Sequence, residues 1–317
     1  MGKNLKITLL AGGVGGAKMA EGFAALKNID LSIIGNVGDD DEFHGLRVSP
    51  DIDTITYTLS GLVNRKQGWG IQNESLRALN MLERLGNKTW MTLGDTDFGL
   101  HIHRTQKLLQ GSKASDIAQE VARKLGIKAK IILPTDDKIR TQIKIKAGWI
   151  SFQDYFVKRR CKPKILKLRY SGIKKAKINL DAIKAINSSD FIVIAPSNPL
   201  VSIKPIIDIP EFKKFIKNSK KKVIAVSPII SGKTVKGPAS KMLRQLGYKS
   251  DAFEALSFYK NICGNFVIDH SDRNLKDHFK NSGLNCHLTN IIMRSIKDKK
   301  SLALKLIKIL SQENKDC

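Results

Sequence analysis

The sequence predicts an α/β protein with a Rossmann-like, mostly parallel sheet, helices on both faces and a small antiparallel excursion. A short apolar strand at residues 5–10 runs directly into four glycines and then into a helix at residues 17–26. A second strand follows one helix later, at residues 31–34, which implies a right-handed parallel β-α-β unit. Continuous apolar runs at residues 190–195 and 222–226 are typical of strands that are buried on both faces.

The remaining elements follow from hydrophobic periodicity. Helical spacing of apolar residues is present in five more segments: 53–63, 74–85, the segment around His101 and His103, 115–125 and 302–310. Short strands are predicted at 91–93, 130–134 and 266–269, and the last of these is expected to end the series. Apolar and polar residues alternate over 139–147, which predicts the antiparallel excursion. We expect a single domain over residues 1–317, with helical and antiparallel insertions at roughly 54–170.

Composition and charge exclude several classes of protein. The chain of 317 residues is 42% hydrophobic and 26% charged, and no apolar run approaches the ~20 residues that span a bilayer. Its net charge of +26 comes mostly from lysines in solvated runs, without a recognisable nucleic-acid-binding motif. We therefore expect no nucleic-acid partner and no membrane association. Scattered cysteines without a CxxC motif fit a reducing compartment, and a cytoplasmic location is expected.

The glycine-rich turn predicts a phosphate site. A strand that ends in glycines and continues as a helix presents backbone N–H groups and a positive helix end to an anion. The spacing matches neither GxGxxG nor GxxxxGK[ST], so a tight turn without a ligand is the alternative. The expected substrate-binding residues of this turn are Gly12, Gly13, Val14, Gly15, Gly16 and Lys18.

An acidic segment follows the second strand. Asp39 and Asp40 come directly after the strand, and Asp51 and Asp53 precede a helix. Loops at the carboxyl ends of neighbouring parallel strands share one edge of the sheet, so these carboxylates are expected to face the glycine turn. Binding of a divalent metal or activation of a hydroxyl is one interpretation. Capping of the helix by Asp51 or Asp53 is the other.

Seven segments, in this order, resemble the 2-phospho-L-lactate transferase family of coenzyme F-420 biosynthesis. They are AGGVGGAK, GNVGDDDEFHGLRVSPDIDT, RKQGWGIQNES, LGDTD, FQDYFVKRR, APSNPLVSI and SPIISGKTVKGPA. The resemblance covers nearly the whole chain. GGVGGA and NVGDDDEFHGLRV are similar to the bacterial-type branch, which transfers phosphoenolpyruvate, whereas the archaeal branch transfers phospholactate.

The resemblance implies a Mg²⁺-dependent reaction. A guanylylated three-carbon donor, carrying phospholactate or phosphoenolpyruvate, meets the deazaflavin Fo. The terminal ribityl hydroxyl of Fo attacks the phosphorus that bears the three-carbon group, and GMP leaves. The family also implies a homodimer. The alternative is the related family of gluconeogenesis regulators, which bind nucleotide sugars without turnover but carry a DDGGSSG-type loop where this chain has residues 38–45.

The resemblance also assigns roles to individual residues. Asp53 and Asp51 are expected to be catalytic, with Asp53 nearest the ribityl hydroxyl, and Mg²⁺ is expected on Asp39, Asp40 and Asp53. Thr96 occupies a position that is usually Lys or Arg in the family and contacts the acceptor there. The other expected substrate-binding residues are Asn36, His44, Arg47, Asp97, Ser197, Asn198 and Ser227, the last three on the guanosine side. His101 and His103 are two residues apart on a helix and point to different faces, so they are not expected to bind a metal.

Overall fold

A computed structural model describes residues 4–313, with fourteen strands and twelve α-helices in the described part of the chain. The strands are β1 (Leu5–Ala11), β2 (Ile29–Gly35), β3 (Asp41–Phe43), β4 (Leu46–Val48), β5 (Lys130–Ile132), β6 (Arg140–Ile145), β7 (Gly148–Ser151), β8 (Lys167–Ser171), β9 (Phe191–Ile194), β10 (Val223–Val226), β11 (Ile229–Ile230), β12 (Lys233–Thr234), β13 (Asn265–Asp269) and β14 (Asn285–Thr289). The helices are α1 (Gly13–Ala24), α2 (Pro50–Leu59), α3 (Arg77–Arg84), α4 (Asp95–Leu109), α5 (Ala114–Lys124), α6 (Leu180–Ser188), α7 (Lys204–Ile207), α8 (Pro210–Lys217), α9 (Ala239–Gln245), α10 (Ala252–Ser257), α11 (Lys276–Asn281) and α12 (Ile296–Glu313).

The centre of the fold is a seven-stranded parallel sheet in the order β14-β13-β10-β9-β1-β2-β5. From β1 the chain winds outward through β2 and β5, then returns to β9 and winds outward in the other direction. This is the doubly wound Rossmann order, with its switch point between β1 and β9. The predicted fold class is confirmed.

The core lies between this sheet and its helices. Every residue of β9 and of β10 is buried, as the continuous apolar runs predicted. Helix α1 packs against α2 and α12, while α6 packs against α8 and β1. Within residues 4–313, no helix combines the length and apolarity needed to cross a bilayer.

The antiparallel excursion is a separate three-stranded sheet in the order β7-β6-β8. Buried and half-buried residues alternate along β6, as the period of two predicted. Two smaller hairpins, β3–β4 and β11–β12, were not predicted, because each of their strands has only two or three residues.

Several predicted boundaries are wrong. Helix α1 begins at Gly13, inside the glycine run, because Gly13 adopts a φ of +59° that starts the helix directly after the strand. Helix α2 begins at Pro50, whose fixed φ suits the first helical turn. Only Arg77–Arg84 of the segment 74–85 is helical.

Two strand predictions also fail. Residues 91–93 form no strand, because Met91 and Leu93 are buried in a small apolar cluster with Phe98 without a neighbouring strand to pair with. The series of strands does not end with β13, since β14 pairs beside it in parallel. The sequence of β14 is half polar and gave no apolar run to detect. The single-domain organisation over residues 1–317 stays a prediction, and residues 1–3 and 314–317 lie outside the described part.

Candidate active site

The carboxyl ends of β1 and β9 open into a cavity of about 460 Å³, a size that suits a small organic ligand. It lies at the switch point of the sheet, where open α/β folds bind their ligands. Its walls come from the glycine turn, the loop after β9, the start of α2, residues 227–239 and residues 291–293.

The glycine turn packs directly on the loop that follows β9. The Ser197 hydroxyl donates to the Gly12 carbonyl at 2.7 Å and accepts from the Gly12 N–H at 3.3 Å. A Cβ at Gly15 would lie 2.2 Å from the Pro196 carbonyl oxygen. The absence of side chains therefore lets the glycine turn approach the loop after β9 closely. Val14 and Gly15 line the cavity at the N-terminus of α1, where the first N–H groups of a helix have no intrahelical partner.

A Gly15→Ala substitution is expected to destabilise the protein by at least ~2 kcal/mol, because its methyl group cannot fit beside the Pro196 carbonyl. Gly99→Ala is the matched control, since Gly99 lies in α4 with no heavy atom within 4 Å of the added methyl group. The control should be stabilised by up to ~1 kcal/mol. Urea unfolding of both variants measures this, and equal stability of Gly15→Ala and wild type would contradict the packing described.

Asn36 holds two carboxylates beside the glycine turn. Its Nδ2 group donates to Asp39 Oδ1 and, at 2.9 Å, to Asp51 Oδ2. Asp51 also accepts from the Gly13 N–H and the Ser202 hydroxyl, so its negative charge lies at the N-terminus of α1. Both carboxylates line the cavity, both are buried, and among the described residues neither forms an ion pair.

The two other predicted carboxylates are paired with arginines. The Arg47 guanidinium lies 3.3 Å from Asp40 Oδ2, which also accepts from the Ser49 hydroxyl at 2.7 Å. Arg104 donates to both oxygens of Asp53, with 3.1 Å for the Nη1 contact. Asp53 Oδ2 further accepts from the Ser49 N–H at 3.1 Å, so Asp53 lies within the first turns of α2 and contacts its N-cap residue without being the cap itself.

Burial dominates the ionisation of this cluster. It raises the pKa of Asp40 to about 7 and that of Asp51 to about 6. Burial, reinforced by the charge of Asp51, raises the pKa of Asp39 well above its usual range. Charged carboxylates without cations are costly in this position, and a bound cation would offset that cost.

The free energy of unfolding is expected to fall as the pH rises from about 5 to about 8. Between the ordinary pKa of 3.8 and the raised values, the folded state holds more protons than the unfolded state, so stability declines with rising pH. Asp40→Asn should flatten this dependence by about 2–4 kcal/mol, while the exposed control Glu42→Gln should leave it unchanged. Urea unfolding at three pH values provides the measurement, and a stability that increases over this range would contradict the assignment.

The wall opposite the glycine turn contains groups that sequence reasoning left without a role. Tyr57, His101 and the half-exposed Trp69 line the cavity, as do Phe152 and Phe156. The two phenylalanines stack in parallel with ring centroids 5.5 Å apart. Trp69 lies between Gly68 and Gly70 in the RKQGWGIQNES segment, and this placement was the only sequence signal for it.

Two lysines bring positive charge to the cavity, and neither has a carboxylate hydrogen-bond partner in the part of the chain that the structure describes. Lys18 Nζ donates to the Met293 carbonyl at 3.1 Å, and Lys236 Nζ donates to the Gln67 carbonyl. Burial, followed by the charges of Lys299 and Lys236, lowers the pKa of Lys18. An anionic ligand would relieve the repulsion among these ammonium groups. Lys18 was predicted as a substrate-binding residue and Lys236 was missed.

The structure brings most of the predicted site residues together. Those that line the cavity are Gly12, Gly13, Val14, Gly15, Lys18, Asp39, Asp51, Asp53, Asp97, Ser197, Asn198 and Ser227. Those outside its lining are Gly16, Asn36, Asp40, His44, Arg47 and Thr96. Asn36, Asp40 and Arg47 contact lining residues or lie directly behind them, whereas Thr96 is exposed on the first turn of α4 and its N–H binds Glu74. His44 does not line the cavity, but its Nε2 lies 2.8 Å from the carbonyl of Met91, which does.

The fold and the cavity together define a Rossmann-like protein with a glycine turn and buried carboxylates at the switch point of its sheet. Residues 7–298 match the family described as 2-phospho-L-lactate transferase CofD, and the chain belongs to this family. The predicted family is confirmed, and the assignment to the bacterial-type branch stays a prediction.

Individual relatives span almost the whole chain. The 2-phospho-L-lactate transferase of Methanopyrus kandleri is 36% identical over 313 residues, which cover 98% of this chain and 99% of the relative. The 2-phospho-L-lactate transferase of Methanocaldococcus jannaschii is 36% identical over 306 residues, which cover 95% of this chain and 97% of the relative. A crystal structure of a UPF0052 family member from Bacillus halodurans has a TM-score of 0.65 and 14% identity, covering 96% of this chain and 100% of that one. That similarity concerns the fold alone.

Proposed function

We propose that the chain is a transferase of coenzyme F-420 biosynthesis. It moves a phospholactyl or phosphoenolpyruvyl group from a guanosine-diphospho donor to the terminal ribityl hydroxyl of the deazaflavin Fo, and GMP leaves. The observation that carries this proposal is the pair of buried carboxylates beside the glycine turn in the cavity, Asp39 and Asp51, which form no ion pair with any described lysine or arginine. The names of the relatives favour phospholactate as the transferred group. The GGVGGA motif favours phosphoenolpyruvate.

Binding of the donor diphosphate is assigned to the glycine-turn side of the cavity. The first N–H groups of α1 at Val14 and Gly15 face the cavity, and Lys18 and Lys236 add positive charge there. Phosphoryl transfer depends on positioning and on neutralising charge more than on covalent catalysis. These four residues supply both contributions.

Asp39 and Asp51 fit Mg²⁺ better than the predicted set of Asp39, Asp40 and Asp53. Asp40 and Asp53 already have arginine partners, whereas Asp39 and Asp51 have none among the described residues. No cluster of three or more His, Cys, Asp or Glu side chains suited to a metal occurs in residues 4–313. Two carboxylates completed by substrate phosphates are typical of Mg²⁺. The ion would neutralise the diphosphate charge that develops as GMP leaves.

Asp53 is assigned a supporting role in this proposal. Arg104 engages both of its oxygens, so the acceptors of Asp53 are already occupied at the cavity wall. Asp51, which forms no ion pair among the described residues and lies at the N-terminus of α1, is the carboxylate better suited to the reacting centre. We further propose that the chain forms a homodimer.

Incubation of the full chain with Fo, Mg²⁺ and each guanylylated donor tests the proposed function. Mass detection should find one phosphodiester product together with an equimolar amount of GMP. The donor that gives the higher kcat/KM identifies the transferred group. Absence of product with both donors, in protein shown to be folded, would contradict the proposal.

A further inference from the structure

On the cavity wall formed by α2 and α4, a continuous series of contacts joins Tyr57, Asp97 and His101, which line the cavity, to Arg104 behind them. The Tyr57 hydroxyl donates to Asp97 Oδ1, and His101 Nε2 lies 3.2 Å from the same oxygen. Arg104 Nη1 lies 3.2 Å from His101 Nδ1, and the guanidinium continues to Asp53. His101 is 1% exposed and Arg104 is 8% exposed, so water does not compete for these contacts.

The guanidinium decides which nitrogen of His101 carries the proton. Arginine only donates hydrogen bonds, so His101 Nδ1 must accept and is unprotonated. The proton of the neutral ring is therefore on Nε2, the nitrogen that faces Asp97. His101 Nε2 thus faces Asp97 Oδ1 at 3.2 Å, and among the described residues no aligned hydrogen bond involves this nitrogen.

Asp97 is left with one unused acceptor. Tyr57 and His101 both contact Oδ1, and among the described residues no hydrogen bond reaches Oδ2. The Asp97 side chain is 13% exposed and lines the cavity. Although burial opposes ionisation, the contacts with His101 and Tyr57 hold the pKa of Asp97 below its usual range. A charged acceptor with a fixed orientation therefore faces the ligand.

We infer that Asp97 Oδ2 binds a hydroxyl of the polyol chain of the acceptor, and that Arg104 is a positioning residue that holds Asp97 through the fixed tautomer of His101. The inference rests on the proposed function, because the polyol is the ribityl chain of Fo. A neutral hydroxyl supplies the hydrogen-bond donor that Oδ2 lacks. It adds no negative charge beside Asp53 and Asp97.

The variant Asp97→Asn distinguishes the role of Oδ1 from that of Oδ2. The asparagine oxygen can keep the contacts of Oδ1 with Tyr57 and His101, while its NH₂ group replaces the free acceptor by a donor. Calorimetric titration should show Fo binding about tenfold more weakly to Asp97→Asn, with donor affinity unchanged. An Fo analogue with an alkyl chain in place of the ribityl chain should bind wild type and variant equally. Asp116→Asn, an exposed carboxylate on α5, is the matched control and should behave as wild type.

The contacts from Arg104 through His101 to Asp97 can be tested by a measurement that does not depend on the reaction. In ¹⁵N NMR spectra of the full chain without ligand, His101 should show an unprotonated Nδ1 and a protonated Nε2. The double variant Asp53→Asn/Arg104→Gln removes the buried charges as a pair, and in it the fixed tautomer should be lost. Its KM for Fo should rise about threefold while the KM for the donor stays the same.

The results of these experiments distinguish this inference from the proposed function. A protonated Nδ1 in the wild type, or equal Fo affinity of Asp97→Asn and wild type in a protein that transfers, would overturn this inference and leave the proposed function intact. A loss of affinity for the alkyl analogue as large as that for Fo would also overturn it. A wild type that is folded but neither transfers nor binds Fo would overturn both.

Discussion

Asp51→Asn is expected to lower kcat by about 10³-fold, the loss typical of removing a charged group from the reacting centre. Asp51 lies between the N-terminus of α1 and Asn36, and it is one of the two carboxylates assigned to Mg²⁺. Asparagine keeps the size of the side chain and removes its charge. The fold should therefore persist, and Mg²⁺ should raise the Tm of the wild type but not that of the variant.

Glu42→Gln is the matched control for this variant, because Glu42 belongs to the same acidic segment but is 59% exposed and pairs with Lys138. Its kcat should equal that of the wild type. Steady-state rates with saturating Fo and donor provide the comparison. A kcat for Asp51→Asn within tenfold of the wild type would remove Asp51 from the reacting centre.

Asp53→Asn is expected to reduce the free energy of unfolding by about 3–5 kcal/mol. The substitution leaves the Arg104 guanidinium buried without its counter-charge, and breaking a buried ion pair on one side typically costs this much. Arginine stays protonated in proteins, so Arg104 cannot escape this cost by becoming neutral. Chemical unfolding at neutral pH measures the loss.

The double variant Asp53→Asn/Arg104→Met distinguishes a lost ion pair from a damaged fold. Removing both charges should recover at least half of the stability that Asp53→Asn loses, because no uncompensated charge stays buried. If Asp53→Asn alone is as stable as the wild type, the bidentate pair between α2 and α4 contributes nothing, and the supporting role assigned to Asp53 fails.

The parts of the site that sequence could predict are those within one local segment. The glycine turn and Asp51 follow directly from a strand, a turn and a helix start in consecutive residues, and the topology of a parallel unit places them at one edge. The long-range ion pair between Arg104 and Asp53 could not be predicted from the sequence. Arg104 and Asp53 are 51 residues apart, and helical periodicity predicts which face of a helix is buried without naming its partner.

The same limit explains why the sequence did not identify which carboxylates bind a metal. Four of the five aspartates between residues 39 and 53, namely Asp39, Asp40, Asp51 and Asp53, cannot be ranked as metal ligands when only their order is known. The structure separates them, because Arg47 and Arg104 pair with Asp40 and Asp53 and leave Asp39 and Asp51 to each other. Strand β14 was not predicted for a related reason. Its sequence is half polar, and only its parallel pairing with β13 in the structure identifies it as an edge strand.

Single-turnover transfer with Fo labelled by ¹⁸O at its terminal ribityl hydroxyl tests the central claim most directly. If this hydroxyl attacks the donor phosphorus at the Asp39–Asp51 centre, all of the label will be in the bridging oxygen of the phosphodiester and none in GMP. The rate of this step will fall in Asp51→Asn and stay unchanged in Glu42→Gln. Label in GMP, or transfer at the wild-type rate by Asp51→Asn, would contradict the account.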